Sequence, residues 1–364
     1  MTVLVAPDKF KGSLTAAQVA SALAEGLRAA GTPAVEFPIA DGGEGTVAAA
    51  VAAGFRRVPA RVSGPTGRRI TAFFALRDDV AVVELAEASG LHRLPGGLPA
   101  PLTASSYGTG ELIAAASAAG ARRIVLGVGG SACTDGGAGM LMALGARVLD
   151  SSGAAVAPGG FGLSSVSTVD FSGVAVPDLE LACDVDNPLL GPSGAAAVYG
   201  PQKGAGHEDV VALEACLRHW SSFLGRSLAA TPGAGAAGGV GFAAVAALGA
   251  RVRPGSSLLL DLLGFPSAAR SARLVLTGEG SLDTQSLHGK APVGVLRAAT
   301  AAGVPTVAVV GRCLLPPAEW RAAGFATVHA LTDLEPDPAR CIADARSLLR
   351  RVAERVGRDH AAVT

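Results

Sequence analysis

The sequence predicts an α/β fold with two domains: both ends of the chain build a parallel-sheet domain, and the middle builds an inserted domain with a mixed sheet. The two ends share a pattern of apolar strand, polar loop and alanine-rich helix. Residues 57–90 instead alternate apolar and polar side chains around a Gly-Pro-Thr-Gly turn, as antiparallel strands do. A chain of 364 residues is also long for one core. The expected boundaries are 1–56 with 270–364 for the first domain and 57–269 for the second, and residues 103–150 fit either.

The first elements alternate between strands and helices. Residues 3–6 predict a strand, the loop PDKFKGSL follows, and TAAQVASALAEGLRAAG carries apolar side chains at helical spacing. Thr15 and Gln18 predict a capping box at the start of this helix, and Gly31 predicts its end. The segment AVEFPIA then predicts a second strand, followed by the loop DGGEGT and another alanine-rich helix.

The later elements continue this pattern. ARRIVLGVGG predicts a strand, SACTDGG a loop and AGMLMALGA a helix, and LELACDVDNPLLGPSG predicts a strand that ends in an acidic loop. ARLVLTGEG is a further predicted strand, SLDTQSLHGK a loop and APVGVLRAATAAG a helix with Pro292 in its first turn. VPTVAVVG and ATVHAL predict two more strands, and PARCIADARSLLRRVAERV predicts an amphipathic helix.

Composition excludes several classes of function. The net charge is zero, which argues against a partner made of nucleic acid and against an acidic membrane surface. Five scattered cysteines show no metal-ligand or disulfide spacing, so we expect reduced thiols and a cytoplasmic protein, and no basic region precedes the apolar N-terminus as in a signal peptide. The uncharged stretch 227–250 contains six glycines and a proline, and it predicts a glycine-rich loop running into a buried helix rather than a membrane span.

Lysine is rare and unevenly placed. Of 30 basic residues only four are lysines, and they all lie in glycine-rich loops: Lys9, Lys11, Lys203 and Lys290. Lys9 and Lys11 flank Phe10, so an extended chain would point both ammonium groups the same way. Two like charges on one face favour an anion between them.

Five loops placed after predicted strands mix glycine with acids, hydroxyls or lysine: PDKFKGS, DGGEGT, GVGGSACTDGGAG, CDVDNPLLGPSGA and TGEGSLDTQSLHGKAP. Glycine lets backbone N–H groups approach an anion, and lysine supplies a compact positive charge. Carboxylates bind Mg²⁺ or accept a hydroxyl proton. This content favours phosphoryl transfer over hydride or acyl chemistry.

Each of these residues also has a structural interpretation. Asp41 and Asp135 precede glycines, so they can be turn or capping residues, and Lys290 can be a solvated side chain before a helix. Asp184 and Asp186 can be a surface pair on one strand face. A literal GxGxxG occurs at 233–238, but the segment before it makes a poor strand, so a dinucleotide fingerprint is disfavoured. The P-loop, GxSxG and HExxH motifs are absent from the sequence.

Eight segments, taken in order over residues 3 to about 311, resemble the signature segments of the bacterial class I glycerate kinase family. The resemblance implies a transferase that uses ATP and Mg²⁺ to phosphorylate D-glycerate, with 2-phosphoglycerate favoured over 3-phosphoglycerate. It also implies a flavodoxin/Rossmann-like domain built from both termini, a second α/β domain, and an active-site cleft between them. The segments are APDKFKGSLTAAQVA, ADGGEGT, YGTGEL, GVGGSACTDGGAGML, ACDVDNPLLGPSGA, YGPQKGA, PGAGAAGGVG and TGEGSLDTQSLHGKAPVGV.

The predicted site residues come from these loops. The catalytic candidates are Lys9 and Lys11, with Asp41, Asp135 and Asp186 as alternative general bases. Asp184 and Asp186 are expected to flank Val185 on a strand and to bind the Mg²⁺ of ATP. The substrate- and nucleotide-binding candidates are Ser13, Gly42, Gly43, Glu44, Gly129, Gly130, Ser131, Gly278, Glu279, Gly280, Asp283, Gln285 and Lys290.

Two points stay open at this stage. Thr134 stands where the family often has asparagine, which leaves its contact with substrate undecided. A nucleotide-binding regulatory protein that has kept the loops and lost turnover is the alternative function, and it predicts ATP binding without a phosphorylated product.

Overall fold

The computed structural model describes residues 2–287 and 290–361. The chain forms two compact units. The terminal unit comprises Met1–Asp41, Ala48–Ala53 and Ser256–Thr364, and the central unit comprises Gly42–Val47 and Gly54–Gly255. The predicted α/β class is confirmed, because one sheet is wholly parallel and a second, larger sheet is mixed.

The elements are numbered along the chain. The strands are β1 Thr2–Pro7, β2 Ala34–Glu36, β3 Arg56–Ser63, β4 Arg69–Arg77, β5 Val80–Glu84, β6 Arg123–Gly127, β7 Arg147–Leu149, β8 Thr168–Asp170, β9 Asp178–Ala182, β10 Arg251–Arg253, β11 Ala272–Gly278, β12 Ser281–Leu282, β13 Thr306–Val310, β14 Arg312–Cys313 and β15 Thr327–Ala330. The α-helices are α1 Ala16–Ala29, α2 Thr46–Ala52, α3 Leu85–Ser89, α4 Tyr107–Ala118, α5 Ala138–Ala143, α6 Ala195–Tyr199, α7 His207–Leu224, α8 Ala236–Leu248, α9 Gly255–Leu263, α10 Phe265–Arg270, α11 Thr284–Leu287, α12 Ala291–Ala301, α13 Pro317–Ala323, α14 Pro338–Ala343 and α15 Ala345–Ala361.

The terminal unit has a doubly wound sheet. Its strand order is β2-β1-β11-β13-β15, and every neighbouring pair is parallel. Counted in chain order within this sheet, the order is 2-1-3-4-5, which is the flavodoxin-like arrangement. Helices α1 and α15 pack on one face, and α10 and α12 pack on the other. The order reverses between β1 and β11, so the topological switch point lies at their carboxyl ends, where Pro7 is paired with Gly278.

The start of α1 has the predicted capping box. The Thr15 hydroxyl accepts the N–H of Gln18 at 3.3 Å, and the Gln18 side chain accepts the N–H of Thr15 at 2.9 Å. The second strand is shorter than predicted. It ends at Glu36, although the N–H groups of Phe37 and Ile39 still donate to the carbonyls of Val5 and Pro7.

The central unit has a six-stranded sheet in the order β10-β9-β6-β5-β4-β3. The four strands β10, β9, β6 and β5 are parallel, and β4 and β3 add the predicted antiparallel hairpin. Its core includes the fully buried Phe74, Trp220 and Phe242. The carboxyl ends of β5, β6 and β9 share one edge, so the loops after Glu84, Gly127 and Ala182 gather there.

The stretch 227–250 forms a glycine-rich loop and then the helix α8, whose first nine residues are buried. No described helix is long and apolar enough to cross a membrane. The GxGxxG at 233–238 follows a 3₁₀ turn, Arg226–Ala230, rather than a strand. A dinucleotide fingerprint needs a strand at that point, so this segment is not a dinucleotide-binding motif.

Candidate functional site

Two acidic side chains lie at the switch point of the terminal unit. Asp8 follows β1 and Glu279 follows β11, and the N–H of Asp8 donates to the carbonyl of Gly278 at 2.8 Å. Both residues are only 8% exposed. Ligands of doubly wound sheets bind at this point of the fold, and the position therefore marks a candidate site. The sequence analysis selected Glu279 but passed over Asp8, although an aspartate directly after a buried strand was visible in PDKFKGS.

Burial changes the protonation of both acids. Burial, together with the nearby carboxylate of Asp41, raises the pKa of Asp8 to about 7, while Lys9 opposes the shift. Burial likewise raises the pKa of Glu279 to about 7, with Lys290 opposing. Among the described residues, Glu279 Oε1 has no hydrogen-bond partner. These two acids can therefore exchange protons near neutral pH, or stay ionised when a cation is close.

Two predicted lysines stand beside these acids. Lys9 Nζ lies 3.9 Å from Asp41 Oδ1, and Lys290 Nζ lies 3.7 Å from Asp283 Oδ1. Partial burial works to raise the pKa of Asp283, but hydrogen bonds from Ser286 and the charge of Lys290 together hold it below its usual value. We call the following six residues the switch-point cluster: Asp8, Lys9, Asp41, Glu279, Asp283 and Lys290.

The segment around Lys11 is a tight turn, so the expectation of extended backbone there is wrong. Phe10 N–H donates to the carbonyl of Leu14 at 2.9 Å, and Gly12 has a φ of +80°. Phe10 is buried in the core, which orients the turn, and Lys11 is exposed. Ser13 Oγ donates to the carbonyl of Ile342 at 3.2 Å. The predicted roles of Lys11 and Ser13 stay predictions.

The loop at Gly42 and Gly43 lies against the glycine-rich loop after β6. A Cβ on Gly127 would lie 2.5 Å from the carbonyl oxygen of Gly42, and a Cβ on Gly129 would lie 2.5 Å from Gly43 Cα. The N–H of Gly129 donates to the carbonyl of Gly42 at 3.1 Å. Only glycine permits this approach of two backbones.

Glu84 fixes the same loop from the end of β5. It is 2% exposed, and its carboxylate accepts the N–H of Gly45 at 3.2 Å and that of Val47 at 3.1 Å. Glu44 between these positions is exposed. The sequence analysis missed Glu84, and an acid at the end of the apolar strand VAVVE was the signal for it.

Asp135 is buried and saturated with hydrogen bonds. It accepts the N–H of Ser106 at 2.7 Å, the hydroxyls of Ser106 at 2.9 Å and Ser105 at 3.2 Å, and the N–H groups of Gly137 at 3.1 Å and Gly139 at 3.3 Å. Five donors fill the hydrogen-bonding capacity of this carboxyl group and give it the surroundings of a structural anchor. Thr134 beside it is buried, and its hydroxyl has no hydrogen-bond partner among the described residues.

Lys203 holds the other side of this loop. Its buried ammonium group donates to Ser131 Oγ at 2.9 Å and to the carbonyl of Cys133 at 2.5 Å. Burial lowers the pKa of Lys203, while the neighbouring Asp135 opposes that shift. Ser131, a predicted binding residue, is therefore fixed by a buried cation, and Gly130 next to it has a φ of +75°.

The acidic loop after β9 differs from its prediction. The strand ends at Ala182, so Asp184 and Asp186 lie in a loop rather than on a shared strand face, and Val185 is 37% exposed. Asp184 Oδ1 accepts the N–H of Gly255 at 2.7 Å, and Asp186 is exposed. Groups of three or more His, Cys, Asp or Glu side chains suited to a metal do not occur among the described residues.

The remaining predicted residues follow β11. Gly278 and Gly280 flank Glu279, and Gln285 is exposed on α11. A Cβ on Gly278 would lie within 1.9 Å of the carbonyl oxygen of Val309, so this position requires glycine. His288, in the loop SLDTQSLHGK, lies outside the described residues.

Comparison with known proteins agrees with the geometry. The model of the glycerate kinase family matches residues 3–361. A glycerate kinase of Bacillus subtilis (strain 168) is 45% identical over 324 residues, which cover 85% of each chain. A glycerate 2-kinase of Escherichia coli (strain K12) is 42% identical over 325 residues, again 85% of each chain. A solved protein of Salmonella typhimurium LT2, assigned as a glycerate kinase 2, superposes with a TM-score of 0.84 at 39% identity and covers 100% of this chain and 98% of its own.

Fold and matches together define an enzyme of the kinase class with two α/β units. The chain belongs to the glycerate kinase family, since the family model covers nearly its whole length. Its substrate is accordingly a small molecule.

Proposed function

We propose that this protein transfers the γ-phosphoryl group of ATP to a hydroxyl of D-glycerate, that it requires Mg²⁺, and that 2-phosphoglycerate is the product. The family match over residues 3–361 is the observation that carries the proposal. Relatives named glycerate kinase and glycerate 2-kinase share 45% and 42% of their aligned residues with this chain. The name of the Escherichia coli relative supports the 2-position.

Asp41 is the general base in this proposal. Its side chain is about one-third exposed and is paired with Lys9, so its oxygens are within reach of a substrate hydroxyl. Asp135 is less suited because five donors already occupy its oxygens. The substrate hydroxyl attacks the γ-phosphorus, its proton passes to Asp41, and the bond to the leaving oxygen of ADP breaks. Lys9 and Lys290 offset the negative charge that collects on the oxygens during transfer.

Mg²⁺ enters bound to the phosphates of ATP in this scheme and shields their charge. Asp186 is the proposed metal ligand, because its exposed carboxylate is free to bind, and Asp184 supports the loop through Gly255. Asp186→Asn should raise the Mg²⁺ concentration for half-maximal rate. An unchanged Mg²⁺ dependence would remove this assignment.

The glycine loops are the proposed phosphate-binding elements. Gly129 is half-buried and Gly130 is exposed after β6, Gly42 and Gly43 pack against this loop, and the hydroxyl of Ser131 beside it is fixed by Lys203. Lys11 and Ser13 stay proposed contacts at the start of α1. A cytoplasmic location is part of the proposal, and the five free cysteines support it.

The test measures ADP release from ATP with D-glycerate, L-glycerate or lactate, with and without Mg²⁺. The proposal expects release only with D-glycerate and Mg²⁺. The ³¹P spectrum of the product then assigns the position, because a phosphate on C2 couples to one proton and gives a doublet, whereas one on C3 couples to two and gives a triplet. ATP binding without ADP release would instead favour a regulatory protein, and a triplet would correct the position alone.

A further inference from the structure

The hairpin of the central unit forms one wall of a groove of about 290 Å³. Residues 93 and 95 form part of its other wall, and four of its lining side chains are arginines: Arg61, Arg68, Arg69 and Arg93. The proposed reaction uses none of them. A groove with four guanidinium groups in a chain of zero net charge is a concentrated positive site.

Strand register explains why these arginines converge. In the β3–β4 ladder Arg61 is opposite Thr71, and Ser63 is opposite Arg69. Side chains two apart on a strand share a face, so these four residues present one polar face, while Val62 faces the core. The turn between the strands is closed by Gly64 N–H, which donates to the carbonyl of Arg68 at 2.7 Å.

The positive charge in the groove is only partly neutralised. Arg69 pairs with Glu111 at 2.5 Å, and Arg93 pairs with Glu87 at 2.8 Å. Arg61 and Arg68 are exposed, and neither forms an ion pair with a described residue. Within the described part of the chain, the buried Nε of Arg93 also lacks a hydrogen-bond partner. Two unpaired cations thus remain available to an anion, and an unsatisfied N–H donor lies buried beside them.

The groove lies at the carboxyl edge of the central sheet. The carbonyl of Pro65 in its wall accepts the N–H of Ser105, at 2.8 Å, and the hydroxyl of Ser105 donates to Asp135. On the other side, Leu91 N–H donates to the carbonyl of Gly130 at 3.0 Å. Both walls are therefore joined to the loop between Gly129 and Asp135.

We propose that this groove is a second anion site, which binds the phosphate group of a small phosphorylated compound. Each guanidinium group presents paired N–H donors that match two oxygens of a phosphate group. Several such groups together offer more donors than a single carboxylate can use. The volume suits a small metabolite. The proposal does not depend on the identity of the reaction that the protein catalyses.

The test is calorimetric titration of the full-length protein with pyrophosphate in the presence of a chelator, so that Mg²⁺ complexes do not contribute. The double variant Arg61→Gln/Arg68→Gln should bind at least tenfold more weakly. Arg93→Lys keeps the charge and loses the Nε donor, and it should also weaken binding. Arg226→Gln, which removes an exposed arginine elsewhere in the same unit, should bind as the unchanged protein does.

Lys9→Met locates the site, because it removes a cation from the terminal unit. Equal binding by Lys9→Met together with loss in the double arginine variant supports the groove. The proposal is overturned if the double variant binds normally, if the loss appears only in Lys9→Met, or if Arg226→Gln weakens binding equally. Succinate at the same concentration should bind at least tenfold more weakly than pyrophosphate, and equal affinity would overturn the assignment to phosphate. Thermal melts of the variants confirm that each is folded.

Discussion

The four lysines of this chain have three different environments. Lys9 and Lys290 belong to the switch-point cluster, Lys11 is exposed on a turn, and Lys203 is buried under Ser131 and Cys133. Because the rest of the chain uses arginine, the four lysines marked these loops as candidate sites in the sequence. The burial of a side chain depends on distant segments that pack over it, so the sequence does not reveal it. The burial of Lys203 and Asp8 could therefore be recognised only in the structure.

Lys9→Met should reduce kcat/KM by about 10²- to 10³-fold, because it removes a cation beside developing phosphoryl charge. The free energy of unfolding should change by about 0.5 kcal/mol or less, as for a partly exposed side chain. Steady-state kinetics and thermal melts measure the two effects. Lys11→Met is measured beside it for comparison, because Lys11 is more exposed than Lys9. Normal kinetics in Lys9→Met would mean that Lys9 is a solvated surface residue with no part in catalysis.

Asp8 should make stability depend on pH. Its pKa is about 7 when folded, against an ordinary value of 3.8, so the folded chain holds the proton more tightly. Stability contributed by that protonated form is complete below pH 4 and is lost as the pH rises to 7, by up to about 4 kcal/mol. Asp8→Asn removes this dependence, so its melting temperature relative to the unchanged protein should rise between pH 4.5 and 7.5.

The exposed Asp359 provides the control for this pH series. Asp359→Asn should show no such trend, since its carboxyl is solvated in both states. A constant difference between Asp8→Asn and the unchanged protein at every pH would mean that Asp8 is ionised throughout.

At the scale of elements, the sequence predicted where the loops after the parallel strands lie along the chain. It did not predict the backbone conformation of those loops. Apolar runs followed by glycine-containing loops identified β1, β6, β11 and β13, because period and flanking residues are local signals. The end of β9 was misplaced, since Asp184 and Asp186 continue an apparent alternation that the backbone does not follow. Strand length depends on the partner strand, which a single segment does not reveal.

The close contact between the loops at Gly42 and Gly127 can be tested by substitution. Gly127→Ser adds a Cβ 2.5 Å from the carbonyl of Gly42, so the loop must move. We expect a loss of about 1–3 kcal/mol in stability and a lower kcat/KM. Gly206→Ser is the matched control, because its nearest neighbour is Asp209 at 3.6 Å and serine is a good helix cap. Equal behaviour of the two variants would show that the close approach is not needed.

The whole molecule depends on joining its two ends. The 2-1-3-4-5 sheet takes β1 and β2 from one end of the chain and β11, β13 and β15 from the other. The pattern of strands and helices indicated this discontinuous unit, but the flavodoxin-like order followed from the family resemblance. Strand order is set by crossovers and not by the composition of a strand. The Arg346 side chain on α15 pairs with Glu25 on α1 at 2.5 Å, next to their shared core.

Leu349→Asp tests this closure of the terminal unit. Leu349 on α15 is fully buried in the core that α1 shares, and an unpaired carboxylate there should cost at least about 4 kcal/mol. Arg351→Asp places the same side chain on an exposed position of the same helix and should melt close to the unchanged protein. Similar melting of both variants would mean that α15 adds little to the core.

Transfer of labelled phosphate tests the central claim most directly. The protein is incubated with D-glycerate, Mg²⁺ and ATP labelled at the γ-phosphorus, and the labelled products are separated. The account predicts one labelled phosphoglycerate for each ADP formed, with little labelled inorganic phosphate. Label found only in inorganic phosphate, or ATP left unconsumed by folded protein, would contradict it.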